Sequence, residues 1–485
     1  MKFIPLQFIG SDWAAFIIFF IAVLILVGIS EVVFQRGILT ANAIRILVHC
    51  TVGTACSLSP FLFISNTPPI LLGLFFTMLN TAAMKRKIFK GIHAQERVSY
   101  GTVYFPLAYL IMVIFFWDFT HYLVISLSIL ALADPLATIV GQSASRPLKT
   151  RIWEDKKSVQ GSAAMFLCSG IIVYGWSWIL PSEVTNIDPI YFVLITAGMS
   201  TIAEMISFRG SDNLSIPLLS FFTMHCTTIK GPYFEMILLC VIFSFLAAYL
   251  AKMITTNGLF GALVMGFLVA GYGNLGYLIP IAIFFILSSV LSKSIPSKTS
   301  VIPKGSKRDI VQVYANGSVA LLLCIIHGFT DSSPMIFLLF LSSVSAATAD
   351  TWATEFGKLS KKSPVSIINF QVMTPGLSGG VTRIGTIGSL LGAAVIGLTA
   401  HILGVADYGV YGVIGAGFIA GILDSVLGAT VQAKYQTGDG QILEYISPGG
   451  SLVSGYKWIT NDLVNLLNTA SAPLIMYIYI QLTGL

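Results

Sequence analysis

The chain has 485 residues, of which 55% are hydrophobic and only 10% charged, and its mean hydropathy is +0.86. Soluble domains carry about 25% charged residues, so this composition excludes a soluble globular protein. Apolar stretches of membrane-spanning length recur along the whole chain. They predict an all-α, polytopic integral membrane protein, because helices satisfy their own backbone hydrogen bonds in lipid.

The apolar stretches can be taken in chain order as about 16 predicted spans. The first is long enough to stay in the membrane, which argues against a cleavable signal peptide. The six cysteines have no ligand spacing and are interpreted as reduced, small apolar residues. The predicted spans are 13–34, 44–64, 68–84, 101–117, 121–141, 160–180, 189–207, 214–228, 233–251, 258–272, 275–292, 311–328, 334–352, 384–403, 408–430 and 463–483.

The positive charges indicate how these spans are oriented. All of the 27 Lys and Arg except Lys2 and Lys230 fall on one side of the predicted topology. We assign that side to the cytoplasm by the positive-inside rule and both termini to the opposite side. The net charge of +6 is therefore mostly a topology signal, and the basic face predicts contact with anionic membrane lipid rather than nucleic acid.

In the first half of the chain, polar residues collect at the predicted cytoplasmic ends of spans. Asp134 ends the fifth span, Glu204 lies near the end of the seventh, and Asp212 follows in the next turn. A carboxylate inside a span is costly and usually functional. Carboxylates suit Mg²⁺, and nearby lysines can neutralise a transferred phosphoryl group. The pattern predicts a Mg²⁺–nucleotide site on the cytoplasmic face.

Each of these features also has a purely structural explanation. Asp134 could mark a helix end, and the pair Lys156 and Lys157 could anchor the chain at the membrane surface. Asp212 and Asn213 could cap the next helix. The combination of all of them on one face favours the nucleotide site.

Four segments of this half resemble the motifs of the CTP-dependent lipid-alcohol kinases, such as phytol kinase and dolichol kinase. They are DPLATIVG (134–141), KKSVQGS (156–162), AE (203–204) and SDNLSIPL (211–218). The sequence departs from the motifs at Gln160 and Ser211, where the family usually has Glu and Gly. The resemblance implies phosphoryl transfer from CTP or another NTP, with Mg²⁺, to a long-chain isoprenoid alcohol such as phytol or geranylgeraniol. It implies catalytic and metal-binding roles for Asp134, Glu204 and Asp212, and nucleotide or phosphate binding by Lys156, Lys157, Ser158, Gly161 and Asn213.

The second half repeats the pattern with different residues. Asp350 and Glu355 are five positions apart, about 140° around a helix, and so could line two sides of a wide site. Asp424 interrupts a stripe of small residues that otherwise indicates close helix packing. Gly379 and Gly380 leave their backbone N–H groups accessible, and these could bind phosphate in a backbone nest. The same turn could instead be a flexible linker.

This half resembles the phytyl-phosphate kinase family through ADTWATE (349–355), TPGLSGGVTRIGTIGS (374–389), DSVLGATVQ (424–432) and the residues around Asp462. The resemblance implies a second phosphorylation, from isoprenyl monophosphate to diphosphate. The implied catalytic residues are Asp350, Glu355 and Asp462. The expected phosphate ligands are Lys307, Arg308, Asn316, Gly379, Gly380 and Arg383, and the expected metal ligands are Asp350, Glu355, Asp424, Asn461, Asp462 and Asn465.

Together these features predict two helical membrane domains, 1–252 and 253–485. The predicted function is a two-step isoprenoid-alcohol salvage kinase whose sites face the cytoplasm of a bacterial inner membrane or a plastid-type membrane. Its partners would be the lipid-soluble alcohol, the alcohol's phosphate and a nucleotide. Two alternatives stay open: a secondary transporter, which also uses broken helices and intramembrane acids, and a single-step alcohol kinase with an accessory second half.

Overall fold

The computed structural model describes residues 11–86, 99–179, 187–230, 233–295, 307–330, 333–446 and 448–484. Within these ranges ten helices are long and apolar enough to cross a membrane, and three shorter helices are also apolar. The predicted all-α membrane fold is confirmed. Each predicted span overlaps one or more helices, but the number of crossings stays a prediction.

The chain divides into two compact units, residues 1–228 and 229–485. The helices that begin in the first unit are α1 (Asp12–Gln35), α2 (Ala41–Ser57), α3 (Ser59–Leu62), α4 (Thr67–Arg86), α5 (Gly101–Phe115), α6 (Thr120–Ser128), α7 (Asp134–Ser143), α8 (Val159–Ile179), α9 (Pro189–Met205) and α10 (Asp212–Ile229). A π-helical turn, Ile129–Ala133, joins α6 to α7. Strands β1 (Lys149–Thr150) and β2 (Lys157–Ser158) form an antiparallel hairpin.

The second unit contains α11 (Phe234–Leu250), α12 (Thr256–Ser294), α13 (Ile310–Phe329), α14 (Pro334–Gly357), α15 (Arg383–Ile402), α16 (Asp407–Thr430) and α17 (Asn461–Thr483). Its short strands are β3 (Val365–Ser366), β4 (Gly380–Val381), β5 (Lys434–Gln436), β6 (Ile442–Leu443) and β7 (Ser451–Ser454), paired as β3–β4 and β6–β5–β7. The predicted domain boundary at 252 assigns α11 to the first domain. In the structure α11 belongs to the second unit, where Phe234 contacts Phe267 of α12 edge to face.

Two predicted spans, 258–272 and 275–292, are joined in α12. The backbone at Asn274 is non-helical, with φ 53° and ψ −158°, so α12 consists of two helices that meet at a kink. The side chain of Asn274 accepts a hydrogen bond from the N–H of Gly276 at 2.9 Å, which supports the chain where the helical pattern is interrupted. The two predicted spans therefore correspond to the two helices on either side of Asn274.

Helix α14 lies at the centre of the second unit and is approached closely by two neighbours. A Cβ atom at Gly388 or Gly392 of α15 would stand 2.7 or 2.8 Å from a carbonyl oxygen of α14. Gly417 of α16 packs in the same way against Ser345. Small residues at these crossings let the backbones meet, as expected for helices that pack in lipid. The small-residue stripe of α16 is thus a packing surface, as the sequence indicated.

Candidate functional site

The first unit gathers three predicted acidic residues around one ammonium group. Lys157, on β2, places its Nζ atom 2.7 Å from Oε1 of Glu204 and 3.3 Å from Oδ2 of Asp212. These side chains are at most 20% exposed. Asp134 is close enough to interact electrostatically with Lys157 and with both other carboxylates. Burial by itself lowers the pKa of Lys157, but the charges of Asp212 and Glu204 raise it above the ordinary value of 10.5.

Asp134 reaches this cluster from the start of α7, directly after the π turn. Pro135 follows it and has no N–H to donate to the preceding turn. A π turn accommodates such an interruption without ending the helix, and π turns occur frequently at functional sites. The helix continues through α7 to Ser143, close to the end of the predicted span at 141. The alternative explanation of Asp134 as a helix end is therefore wrong, although the break in regularity is real.

The loop before α10 positions Asp212 and Asn213. Gly210 has φ +85°, and a Cβ atom there would stand 2.5 Å from the backbone nitrogen of Gly101. The side chain of Asn213 donates to the backbone carbonyl of Gly101 at 3.3 Å, while its amide oxygen Oδ1 is buried without a hydrogen-bond partner. Ser211, a departure from the family motif, accepts from the N–H of Phe208 and so supports the loop.

The residues expected to bind phosphate in the first unit differ in what they contact. Ser158 accepts a hydrogen bond from the N–H of Gly161 at the start of α8. Gly161 faces α7, where a Cβ atom would stand 2.9 Å from the carbonyl oxygen of Ala137. Gln160 accepts from the N–H of Leu148 and so fastens the hairpin. These residues hold the Lys157 hairpin in place, and any direct role in binding phosphate stays a prediction.

The acidic cluster borders a cavity of about 1420 Å³ within the first unit. Along α2 the cavity lining runs from Asn42 to Cys56, a rise of about 21 Å at 1.5 Å per residue. Its polar lining includes Arg45, Asp134, Lys156, Lys157, Asp212 and Asn213. Its apolar lining comes from α1, α2, α4 and α5 and includes Phe19, Val23, Val52, Leu72, Phe76 and Phe105. The cavity can therefore hold a molecule with a charged head and a long apolar tail.

Three lining or neighbouring residues were missed as site residues. Arg45 was counted only as a topology charge, yet it lines the cavity and donates to Asn42 at 3.1 Å. A ring nitrogen of His49 lies 2.9 Å from the carbonyl of Leu130 in the π turn. Ser162 donates to Oε2 of Glu204 at 3.2 Å. A cation within an apolar helix was the signal that could have identified Arg45.

In the second unit the carboxyl group of Asp350 on α14 lies close enough to that of Asp424 on α16 for the two side chains to interact. One turn away, Ala346 of α14 and Ala420 of α16 form a buried layer with Ala472 of α17. Because α17 runs antiparallel to α14, the α17 residue in the next layer is Asn468. Asn468 is fully buried and donates to the carbonyl of Ala346.

Two acceptor oxygens in or beside this layer, Oδ1 of Asn468 and Oδ2 of Asp424, are buried and lack a hydrogen-bond partner. Asn468 was not predicted as a site residue. Nothing in its local sequence distinguishes it from a packing amide.

A loop network borders the acidic pair. Ser378, in the glycine-rich turn, donates through both its N–H and its hydroxyl to Glu444, which interacts electrostatically with Asp424. Lys434 donates to the carbonyl of Ser378 at 3.1 Å. Burial lowers the pKa of Lys434, and the charge of Glu444 opposes this. The turn is therefore fastened rather than flexible, and Glu444, Ser378 and Lys434 join the candidate site.

The glycines of this turn serve close packing. Gly379 has φ +87° and lies against the backbone of Ala429. Gly380 pairs with Ser366 across β3 and β4. Both stand beside the Ser378 network, and a phosphate nest at this turn stays a prediction.

Glu355 lies away from the acidic pair, in a different set of contacts. Its carboxylate accepts from Lys358 at 2.6 Å and from Ser292 at 2.9 Å. Arg308 interacts electrostatically with Glu355. Burial lowers the pKa of Arg308 to about 10, and the charge of Glu355 opposes this. Asp350 and Glu355 thus face different partners on α14, as their 140° separation predicted.

The remaining predicted residues are spread around the second unit. Lys307 and Arg383 are exposed. Asn316 donates to the carbonyl of Gln312, while its own amide oxygen is buried without a partner. The residues expected in the first two turns of α17 are partly buried there: Asn461, Asp462 and Asn465. Across the described ranges, no group of three or more His, Cys, Asp or Glu side chains forms a metal site.

Two units of membrane-spanning helices with acidic side chains buried among them define a polytopic helical membrane protein. Residues 239–472 match the family described as integral membrane protein DUF92. The chain is 33% identical over 186 residues to an uncharacterized membrane protein of Methanocaldococcus jannaschii, which is 38% of this chain and 77% of that protein. It belongs to the DUF92 family of integral membrane proteins.

Two further relatives carry names that bear on activity. The phytol kinase of Synechocystis is 26% identical over 195 residues, 39% of this chain and 81% of the relative. Protein VTE6, chloroplastic, of Arabidopsis thaliana is 24% identical over 232 residues, 46% of this chain and 64% of the relative. No solved structure matches the chain. The predicted fusion of two kinase domains stays a prediction.

Proposed function

We propose that this protein is a membrane kinase that phosphorylates a long-chain isoprenoid alcohol at its first unit. The observation that carries the proposal is the cavity of the first unit, whose lining combines Asp134, Lys157 and Asp212 of the cluster with a long apolar surface. An alcohol with a long hydrocarbon tail matches that polarity. The likeness to a phytol kinase supports the same assignment.

The residues of the cluster fit a nucleotide with Mg²⁺. Mg²⁺ takes hard oxygen ligands and is commonly held by one or two carboxylates together with substrate phosphates. The side-chain amide oxygen of Asn213 has no hydrogen-bond partner. It is an acceptor beside Asp212 and suits a cation. Asp134, Asp212 and Asn213, which line the cavity, would hold the metal together with nucleotide phosphates, and the metal would neutralise phosphate charge when bound. CTP is the donor that the family resemblance implies.

The chain's own groups then position the reaction. Lys157 and Arg45 would contact phosphate oxygens, and the apolar lining would hold the tail so that the alcohol oxygen meets the terminal phosphate. That oxygen forms a bond to phosphorus, the bond to the departing nucleoside diphosphate breaks, and one cluster carboxylate accepts the alcohol proton. Phosphoryl transfer depends mainly on such positioning and charge neutralisation.

We further propose that the second unit adds a second phosphate to the isoprenyl monophosphate. Its support is a separate acidic pair, Asp350 and Asp424, beside the Ser378 turn and the Lys434 ammonium. The unpartnered oxygens of Asp424 and Asn468 suit a cation in the same way as Asn213. A separate site would let two steps run in one membrane, with both lipid products kept in the bilayer.

The test uses the full chain in lipid nanodiscs with γ-labelled CTP, Mg²⁺ and geranylgeraniol or phytol. Products are separated by charge, with ATP, GTP and UTP tested in parallel. We expect labelled monophosphate followed by diphosphate. Formation of monophosphate alone would support the first phosphorylation and reject the second. Absence of transfer from every nucleotide would reject the kinase function.

A further inference from the structure

A second polar cluster in the second unit is separate from the acidic pair. Its central group is the guanidinium of Arg308, which stacks 4.9 Å from the ring centroid of Phe284 and 5.5 Å from that of Phe285. The backbone of Arg308 is fixed by hydrogen bonds with Met253 and Thr255, each 3.0 Å long. Among the described residues its guanidinium has no hydrogen bond, although it carries five N–H donors.

The cluster has more positive than negative charge. Glu355 is 6% exposed and already accepts from Lys358 at 2.6 Å. Two cations, Arg308 and Lys358, therefore share one carboxylate. This balance leaves capacity for an anion, and arginine offers a planar fork that matches phosphate oxygens.

Two buried hydroxyls mark where the anion would sit. Ser288 is fully buried and Ser289 is 6% exposed, and neither hydroxyl has a hydrogen-bond partner. On α12 they lie between Phe285, under the guanidinium, and Ser292, which donates to Glu355. Positions three, four and seven apart share a helix face, so both hydroxyls belong to this cluster. A buried hydroxyl without a partner is unfavourable unless a ligand accepts its hydrogen bond.

We propose that Arg308, Lys358, Ser288 and Ser289 bind the phosphate of a phosphomonoester carried on a long apolar chain. Ile286 and Val290 of the same helix are 52% and 48% exposed, which gives an apolar tail a hydrophobic surface to follow. On the proposed function, this ligand is the isoprenyl monophosphate that the second unit phosphorylates. Glu355 and Asp350 are five residues apart on α14, a rise of about 7.5 Å. The monophosphate bound near Glu355 would therefore lie close to the nucleotide site proposed at Asp350. A phospholipid headgroup has the same chemistry, and the experiment separates the two sources.

The experiment measures equilibrium binding of radiolabelled geranylgeranyl monophosphate to the full chain in nanodiscs, without nucleotide. The variants are Arg308→Gln and the double change Ser288→Ala with Ser289→Ala. Controls are Lys361→Gln, an exposed cation, and Ser343→Ala, which removes another buried, unpartnered hydroxyl. We expect each test variant to raise Kd about tenfold or more and both controls to match the wild type.

A purely structural role for these serines predicts a different result. Removing hydroxyls that have no partner would then leave binding unchanged, and that outcome would overturn the proposal. Thermal unfolding without ligand checks that the double variant is as stable as the wild type. If Arg308→Gln does not fold, the serine variant alone decides.

Competition identifies the source of the phosphate. Stronger competition by unlabelled geranylgeranyl monophosphate than by phosphatidic acid supports an isoprenyl acceptor. The reverse order supports a phospholipid headgroup at the same cluster. Equal competition by geranylgeraniol, which has no phosphate, would overturn the proposal. The binding measurement requires no turnover. A protein without kinase activity can therefore still bind the monophosphate, and an active kinase can lack this binding site.

Discussion

Asp350 and Asp424 meet side chain to side chain across α14 and α16, at a level where the surrounding helices otherwise pack through alanine and glycine. Two neighbouring buried carboxyl groups repel each other when both are ionised, so a proton on one of them or a cation beside them stabilises the pair. The pair is therefore prepared to take up a positive charge.

The acidic pair can be tested by amide substitution. Asp424→Asn keeps a hydrogen bond to Asp350 but removes one potential charge, so we expect the free energy of unfolding to change by less than about 1 kcal/mol. The conversion of isoprenyl monophosphate to diphosphate should fall about 100-fold or more. Monophosphate should then accumulate from alcohol and nucleotide, as product analysis would show. Normal diphosphate yield from a folded variant would remove Asp424 from the site.

Lys157 should be needed for both stability and the first step. Lys157→Met leaves Glu204 and Asp212 without their cation, which should cost roughly 2–3 kcal/mol because these groups are mostly buried. Formation of monophosphate should be lost, while phosphorylation of supplied isoprenyl monophosphate continues. Lys149→Met, an exposed change on the same hairpin, is the control and should leave both unchanged. Loss of both steps in a folded Lys157→Met protein would contradict the two-site proposal.

The same ion pairs predict how stability depends on pH. The pKa of Lys157 is higher in the folded protein than the ordinary value of 10.5. Its contribution to stability is therefore complete below pH 10.5 and is lost as the pH rises toward the folded-state pKa. Thermal unfolding from pH 8 upward should show a steeper alkaline decline for the wild type than for Lys157→Met. Parallel curves would indicate that the ion pairs contribute little.

The loop that carries Asp212 depends on one glycine. Gly210→Ala forces a side chain into a left-handed conformation against Gly101, so we expect a loss of about 1–3 kcal/mol and weaker monophosphate formation. Gly175→Ala on α8 is the matched control, because a Cβ atom there meets nothing within 4 Å. That change should be neutral or stabilising by up to about 1 kcal/mol. Equal behaviour of the two variants would show that the loop tolerates repositioning.

The cavity should determine which tail lengths are accepted. Val52→Phe narrows the apolar part of the lining and should reduce activity with geranylgeraniol more than with the shorter geraniol. Leu47→Phe is the control, since Leu47 is on the same helix but 47% exposed and outside the lining. Rates with both alcohols give the selectivity ratio. An unchanged ratio for Val52→Phe would place the tail elsewhere.

The helices and the acidic residues of both units could be predicted because each has a strong local signal. Membrane spans are long and apolar, and a carboxylate such as Glu204 is costly there. Contacts between distant loops have no such signal. Ser378 and Glu444 are 66 residues apart, and each lies in a polar stretch whose partner no periodicity indicates.

Arg45 and Asp134 show how a correct observation can be interpreted too narrowly. Arg45 fits the positive-inside pattern, and that sufficient explanation concealed its place in the cavity lining. The Asp134–Pro135 pair is a good helix-end signal, but the π turn absorbs the interruption and the helix continues. Local rules identify an irregularity, while the surrounding packing decides what form it takes.

The close approach of α15 and α16 to α14 affects how genetic screens of this protein should be interpreted. At Gly388, Gly392 and Gly417 almost any side chain would collide with α14, so a saturation screen scored by formation of isoprenyl diphosphate should find these positions as intolerant as Asp350. Abundance in the membrane distinguishes the two classes. Glycine variants should be depleted from the membrane fraction, whereas Asp350→Asn should accumulate at the normal level without forming isoprenyl diphosphate.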